Sequence, residues 1–351
     1  MRDRGRVDRF NRPMENLRIS ITQRCGMACA FCHAEGQFAS EDVLSPGQIE
    51  TVAKVGREFG VRHVKLSGGE PTLRRELPEI VERVRRWSDE VSMVTTGHTL
   101  APIAGELKDA GLDRVNISVH SPDDETHSRI LGARVMDRVK EGLKAAQEVG
   151  LGVRFNMTIM KGVNDTHWRD MIRYCGELGV DLRLIEIHAP RHEVVSSYFR
   201  QFYASIAGIE DELASMAISK RWRDLHNRPQ FLVRPEGASQ PVEVEVVRPQ
   251  FNPAFCAGCS RVRLTSDGKL KTCLLRRDDL IGVEECKGPT DSASSMVVTE
   301  ESTRKAFERA LEMREPYWKP GETLETVSAR YEGAVVPLTP AQAGRGLKVV
   351  G

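Results

Sequence analysis

At 351 residues, with 40% hydrophobic and 29% charged residues, the chain is long enough for one α/β barrel with an extension or for a large domain plus a smaller one. A formal net charge of +1 excludes the global positive field of a general nucleic-acid binder, although basic residues can still converge in a pocket. No apolar run reaches the roughly 18 residues of a transmembrane helix, and "MRDRGRVDRFNRP" lacks the apolar core of a secretory signal, so a cytoplasmic protein without a membrane partner is expected.

Residues 1–16 read as a flexible, basic, solvated extension. From residue 17 to about 187, short apolar runs alternate with amphipathic helical stretches. "LRISIT" is a strand, and "SPGQIETVAKVGREFG" is a helix with a Ser-Pro start and a closing glycine. "VRHVKLS", "VSMVTT" and "RVNIS" are the next strands; "RRELPEIVERVRRW", "LAPIAGELKDAG" and a stretch from about residue 123 are the helices following them. "RVKEGLKAAQEVG", "GVRFNMTIM", "WRDMIRYCGELG" and "DLRLIEI" continue the alternation. Six strands separated by helices imply a parallel α/β sheet with right-handed crossovers, either doubly wound or a partial barrel; periodicity does not choose between them. Residues 194–226 read as helical, "FLVRPEGASQPVEVEVVRPQFNP" as β-rich, and the segment beyond residue 316 as irregular. A second unit therefore begins near residue 227.

Six of the eight cysteines fall into two groups of three. Clustered cysteines in a chain of this size point to metal rather than disulfides. Cys25, Cys29 and Cys32 follow the first strand, on the face where parallel α/β folds build their sites. Three thiolates hold three irons of a four-iron cluster and leave the fourth open to a chelating small molecule. The alternative is zinc, with His33 or a distant cysteine as fourth ligand. Cys256, Cys259 and Cys273 form the second group, the third cysteine standing beyond a hairpin-like "SDGK" turn. Zinc is the stronger rival here, because CxxC is its usual half-site and Cys286 would close it. Cys175 lies within a helix and reads as a buried hydrophobe.

CxxxCxxC after the first strand, with "GGEP" (Gly68–Pro71) after the second, resembles the radical S-adenosylmethionine superfamily. The resemblance implies a partial (β/α)6 TIM-type barrel over residues 17–226 with a C-terminal α+β auxiliary-cluster domain over 227–351. It also implies S-adenosylmethionine bound at the open iron and split by one electron to give a hydrogen-abstracting 5'-deoxyadenosyl radical. Gly68 and Gly69 then permit close backbone approach to the methionyl ammonium, with Glu70 and Pro71 completing the loop. Thr95 (with Thr96), Ser118 and Asn156 match positions that contact the cofactor. His188 replaces a methionine that lies near the adenosine.

Within that superfamily, CxxC-x13-C with "RVRLT" between is similar to the GTP 3',8-cyclases of molybdenum-cofactor biosynthesis, and the similarity runs over most of residues 17–275. It implies two [4Fe-4S] clusters and hydrogen abstraction from a phosphate-bearing nucleotide followed by carbon–carbon ring closure. Arg18, Arg74, Arg154, Arg183, Arg261 and Arg263 match the basic residues that bind the triphosphate, a role that suits converging arginine forks. A small-molecule nucleotide, a flavodoxin- or ferredoxin-type electron donor and a homodimeric partner are the partners implied, with no nucleic acid. Several positions depart from the family pattern. "TTGH" lacks an asparagine, His120 stands where an aspartate is usual, and the chain ends in "GRGLKVVG" rather than in two glycines. These departures keep open a diverged paralogue acting on another nucleotide in nucleoside natural-product synthesis. A peptide-modifying radical enzyme and a zinc-stabilised binding protein are the rivals from other classes. His33 reads as a neighbour of the first cluster, and His120 and His188 as residues of the active face.

Overall fold

The computed structural model describes residues 6–36, 42–238, 240–284 and 297–333. Cys286 and the C-terminal "GRGLKVVG" lie outside them. The strands are β1 (Asn16–Ser20), β2 (His63–Ser67), β3 (Glu90–Thr95), β4 (Arg114–Ser118), β5 (Gly152–Ile159), β6 (Asp181–Glu186), β7 (Ser219–Arg223), β8 (Arg228–Val233), β9 (Val242–Val247), β10 (Arg261–Leu264), β11 (Lys269–Lys271) and β12 (Leu280–Gly282). The helices are α1 (Pro46–Glu58), α2 (Leu77–Arg85), α3 (Ala104–Asp109), α4 (Asp124–Leu131), α5 (Met136–Glu148), α6 (Trp168–Leu178), α7 (Ser197–Phe202), α8 (Ala207–Met216), α9 (Pro253–Ala257), α10 (Glu300–Met313) and α11 (Leu324–Tyr331). The alternation read from the sequence is present through β6, and its helix starts have local causes. Ser45, for example, accepts from the backbone of Gln48 in a capping box, and Pro46 opens α1.

All twelve strands form one sheet, in the order β12-β11-β10-β1-β2-β3-β4-β5-β6-β9-β8-β7. β1 to β6 are parallel, and β9 and β10 extend that parallel core at its two edges. The expected boundary at residue 226 thus falls in the β7–β8 connection, and the later strands join the core sheet rather than stack as a separate layer. Leu17 and Ile19 of β1, Val64 and Leu66 of β2, and Leu182 and Leu184 of β6 enter the main hydrophobic core. Their alternate neighbours Arg18, Lys65 and Arg183 face the other way and line a shared cavity. Five flat strand spacings of about 4.8 Å would hold Arg18 and Arg183 roughly 24 Å apart. Their meeting shows that the sheet curves into the partial barrel.

Three expectations are corrected. Residues 194–226 are not one helical stretch, because α7 and α8 give way to strand β7. The region after residue 316 contains α11, started by a Thr323 capping box. The N-terminal extension is anchored at Asp8, Arg12 and Met14, while Arg6, Val7, Arg9, Phe10 and Asn11 are exposed as expected. Asp8 and Arg12 are each 5% exposed and form a buried ion pair at 2.9 Å, and Met14 is fully buried. Among the described residues no helix is long and apolar enough to cross a membrane.

Candidate active site

The first cysteine loop leaves β1 and is tied down on both sides. Ala28 and Ala30 donate backbone hydrogen bonds to the last carbonyls of α4, Leu131 and Ile130, at 3.0 Å each. Gly69 and Glu70 donate to Thr22 and Arg24 carbonyls at 2.7 and 2.8 Å. A Cβ on Gly68 would stand 2.2 Å from the Thr22 carbonyl oxygen, and one on Gly69 2.3 Å from that of Arg24. The glycine pair is therefore required by the approach of the cysteine loop itself, whatever else binds there. Glu70 is fully buried and its carboxylate accepts from Thr72, Thr95 and Thr96 hydroxyls at 2.6–2.7 Å, so it organises the end of β3 from behind the cavity wall. Pro71, also buried, sits with it, while Gly68, Gly69, Thr95, Thr96, Ser118, Asn156 and His188 line the cavity.

The second cysteine group surrounds short α9, whose N-cap Asn252 accepts from the Phe255 backbone at 3.0 Å. The repacked N-terminal segment meets it. Arg12 donates to the Cys256 carbonyl at 3.1 Å and Arg314 to the Cys259 carbonyl at 2.6 Å. Burial raises a thiol, but the guanidiniums of Arg314 and Arg12 outweigh it at Cys259 and hold that thiol below its usual range. Burial wins at Cys256 and pushes Cys273 up to about 12. Cys175 is fully buried in α6, as a packed hydrophobe.

All six clustered cysteines line a single cavity of about 660 Å³, together with Arg18, Lys65, Arg183, Arg228, Arg261 and Arg263. Arg18, Lys65, Arg183 and Arg263 stand in strand interiors, and Arg228 and Arg261 are the first residues of β8 and β10; Arg18 pairs in register with Arg263 on β10 and with Lys65 on β2. Two of the expected arginines are elsewhere. Arg74 donates to the Ile21 and Leu44 carbonyls at 2.6 and 2.5 Å and braces the cysteine loop from outside. Arg154 is consumed by Glu245, Glu243 and Asp181 at 2.7, 2.8 and 3.2 Å. Glu245 is the buried hub, also gripping Arg183 at 2.7 Å and Arg228 at 2.8 Å, and its guanidinium ring holds it far below the usual carboxylate range against the cost of burial. Arg261 differs: among the described residues its side chain has no hydrogen bond or ion pair, and burial followed by Arg263, Arg18 and Arg228 lowers it well below its usual value.

Sequence reading missed Lys65, Arg228, Glu245 and Glu35. Lys65 and Arg228 stand at inward positions of strands, a signal that the period-2 pattern of "HVKLS" carried. Glu245 follows the same logic in "VEVEVV". Glu35 had no sequence signal. It reaches Arg18 and, at 2.9 Å, Arg263 from the loop after Cys32.

Histidines complete the wall. His33 and His188 meet edge to face at 5.0 Å, and burial keeps both neutral, near 4 and 3. His120 accepts from the Thr158 backbone through Nδ1 at 3.1 Å, which places its proton on Nε2. That Nε2 is buried without a hydrogen-bond partner, in a residue of the cavity wall.

The donors fit iron–sulfur clusters and a bound cofactor. Backbone amides of Met27, Ala34 and Trp318 point at the Cys25, Cys32 and Cys256 sulfurs at 3.4 Å, the contacts that stabilise ligand thiolates. Tetrahedral zinc would draw its sulfurs to roughly 3.8 Å of one another. Among the described residues no three Cys, His, Asp or Glu side chains close on a single ion.

Residues 19–175 match the family described as "Radical SAM superfamily", and residues 180–319 the one described as "Molybdenum Cofactor Synthesis C". A "Probable GTP 3',8-cyclase" of Pyrococcus abyssi is 42% identical over 312 residues, covering 89% of this chain and 99% of that protein. The chain belongs to this family of radical S-adenosylmethionine enzymes. Another "Probable GTP 3',8-cyclase", from Metallosphaera sedula, is 43% identical over 89% of this chain and 96% of its own length. Among solved structures, "Native anSMEcpe with bound AdoMet and Cp18Cys peptide" aligns at TM-score 0.56 and 15% identity, covering 86% of this chain and 81% of that one. Streptococcus suis SuiB bound to S-adenosylmethionine aligns at TM-score 0.55 and 15% identity, over 74% of this chain and 60% of that one. These likenesses show the fold, and the fold is the expected mixed α/β radical enzyme with a parallel core sheet. Membership implies a [4Fe-4S] cluster and S-adenosylmethionine.

Proposed function

We propose that the enzyme is a GTP 3',8-cyclase of molybdenum-cofactor biosynthesis, working with two [4Fe-4S] clusters in one chamber. The carrying observation is that both three-cysteine sets and the inward arginines line the same 660 Å³ cavity. Cys25, Cys29 and Cys32 hold the cluster that binds S-adenosylmethionine, with Thr95, Ser118, Asn156 and His188 along the cofactor and His120 Nε2 offering a hydrogen bond. When bound, that cluster and cofactor supply a one-electron cleavage that generates a hydrogen-abstracting radical. Cys256, Cys259 and Cys273 would hold the second cluster, which would supply an open iron for the guanine base. Arg18, Arg183, Arg228, Arg261, Arg263 and Lys65 bind the triphosphate, while the curved sheet walls the reacting ribose away from water. The relatives' identity over 89% of the chain favours GTP over another nucleotide.

The test is anaerobic incubation of the cluster-loaded enzyme with S-adenosylmethionine, a reductant and a panel of nucleotides. GTP should accelerate 5'-deoxyadenosine release and yield a cyclised nucleotide. A background rate unchanged by GTP would overturn the proposal, and acceleration by a different nucleotide would redirect it.

A further inference from the structure

The two guanidiniums best placed for a phosphate already hold a carboxylate. Arg18 and Arg263 occupy paired positions on adjacent parallel strands, both facing the cavity. Two like charges side by side in a low-dielectric interior repel strongly. Glu35 relieves this by giving one carboxylate oxygen to each, Oε1 to Arg18 Nη2 and Oε2 to Arg263 Nη1. A phosphate bridging two arginines uses the same arrangement of two oxygens and two forks. Arg18, Arg263 and Arg261 outweigh burial and keep Glu35 ionised, so the bridge is charged.

The segment that brings Glu35 in is unusual. Ala34 and Glu35 have φ of +48° and +55°, two consecutive non-glycine residues in the left-handed region. Side chains rarely adopt that conformation, and its persistence here needs an external hold. The bridge to the arginines is such a hold. The same turn begins two residues after Cys32, whose sulfur accepts from the Ala34 amide at 3.4 Å.

We propose that Glu35 is an internal stand-in for a substrate phosphate: in the free enzyme it neutralises Arg18 and Arg263, and the polyphosphate of the nucleotide must displace it to bind. This rests on the reading that the inward arginines take the substrate's phosphates. The exchange makes Glu35 a specificity-determining residue. A ligand carrying a multiply charged phosphate replaces a single carboxylate with a stronger bridge, and a nucleoside without phosphate has nothing to exchange. Arg261, without a partner among the described residues, supplies the first landing point for the incoming anion beside the occupied pair.

The experiment is calorimetric titration of the cluster-loaded enzyme with inorganic tripolyphosphate and, separately, with guanosine. Removing the competing charge in Glu35→Gln should tighten tripolyphosphate binding about tenfold or more, the scale of a charge-assisted hydrogen bond. Glu35→Asp, which retains the charge, should leave binding nearer that of the wild type, and guanosine should bind all three proteins alike. Arg263→Ala should weaken tripolyphosphate binding. If Arg263→Ala weakens binding while Glu35→Gln leaves it unchanged or weaker, the stand-in role falls and the phosphate reading survives. If Arg263→Ala has no effect on tripolyphosphate, the phosphate reading falls and takes the stand-in role with it. A gain for guanosine equal to that for tripolyphosphate would also overturn the proposal, because the effect would not be an exchange of anions.

Discussion

The two cysteine sets face one cavity but differ in their charged surroundings, and the difference is decisive at Cys259. Cys25 and Cys32 are exposed on a loop, and burial together with nearby carboxylates and thiols raises all three thiols of that set. Cys256 is buried, and its set is framed by Arg12, Arg314 and Arg261. Only at Cys259 do the arginines overcome burial and lower the thiol. Deprotonation is therefore prepared by the protein at Cys259, whereas at the other five thiols it falls to the incoming metal, which releases protons as it binds. The accessible loop suits the set that must admit a cofactor, and the buried, arginine-framed set suits one that meets an anionic substrate.

The comparison breaks most sharply under cysteine substitution. Cys29→Ala and Cys259→Ala should each lower iron from about eight to about four per chain. Only Cys29→Ala should also abolish S-adenosylmethionine cleavage, by about a thousandfold or more; Cys259→Ala should retain slow cleavage that no nucleotide accelerates. Equal loss of cleavage in both variants would end the division of labour. Iron analysis that found one or two zincs and no iron would remove both clusters at once.

Paired and unpaired arginines should differ next. Arg314, 1% exposed, satisfies the Arg12, Pro13 and Cys259 carbonyls, so Arg314→Met orphans buried acceptors and should cost about 3 kcal/mol in denaturant unfolding, with preferential loss of the second cluster. Arg154→Met should likewise cost about 3 kcal/mol by leaving Glu245 under-compensated, with a nucleotide KM near that of the wild type. Arg261→Met should do the reverse: stability unchanged within about 0.5 kcal/mol and a KM raised about tenfold. A matching profile for Arg154 and Arg261 would refute their separation into scaffold and site.

The most gradual effect, spread over a pH range, lies outside both sets. Burial raises Glu186 to about 7, although the Gln250 and Ile206 amides and Arg248 oppose it. Its folded pKa exceeds its unfolded value, so the folded state holds the extra proton and stability falls as pH rises from about 4.5 to about 7. The loss is at most about 3 kcal/mol. Glu186→Gln should flatten that part of the pH profile of thermal unfolding; an unchanged slope would show that another group carries it.

The cysteine spacings and the glycine pair were legible in the sequence because each is a short-range pattern with a local chemical reason. So were the strands through β6, whose alternation of apolar and polar residues reports two distinct faces. The arginines were legible as a set but not one by one. Arg74 and Arg154 look like Arg18 and Arg263 in sequence, and only their partners separate a brace from a ligand. Glu35 was invisible for the same reason: an isolated glutamate after a cysteine loop carries no mark of the two strands it bridges. The anchoring of the N-terminal extension was not legible because Asp8 and Arg12 were counted without each other, and because Arg314, which holds the Arg12 carbonyl, lies far along the chain.

By itself, then, the sequence determined two groups of three cysteines and a parallel α/β frame, properties set by spacing and periodicity. Which cations line the cavity, which, like Arg154, are turned wholly onto carboxylates, and which are already bridged by Glu35 was decided by tertiary structure alone. Charge pairing depends on distances between residues far apart in the chain, and those distances exist only once the sheet has curved.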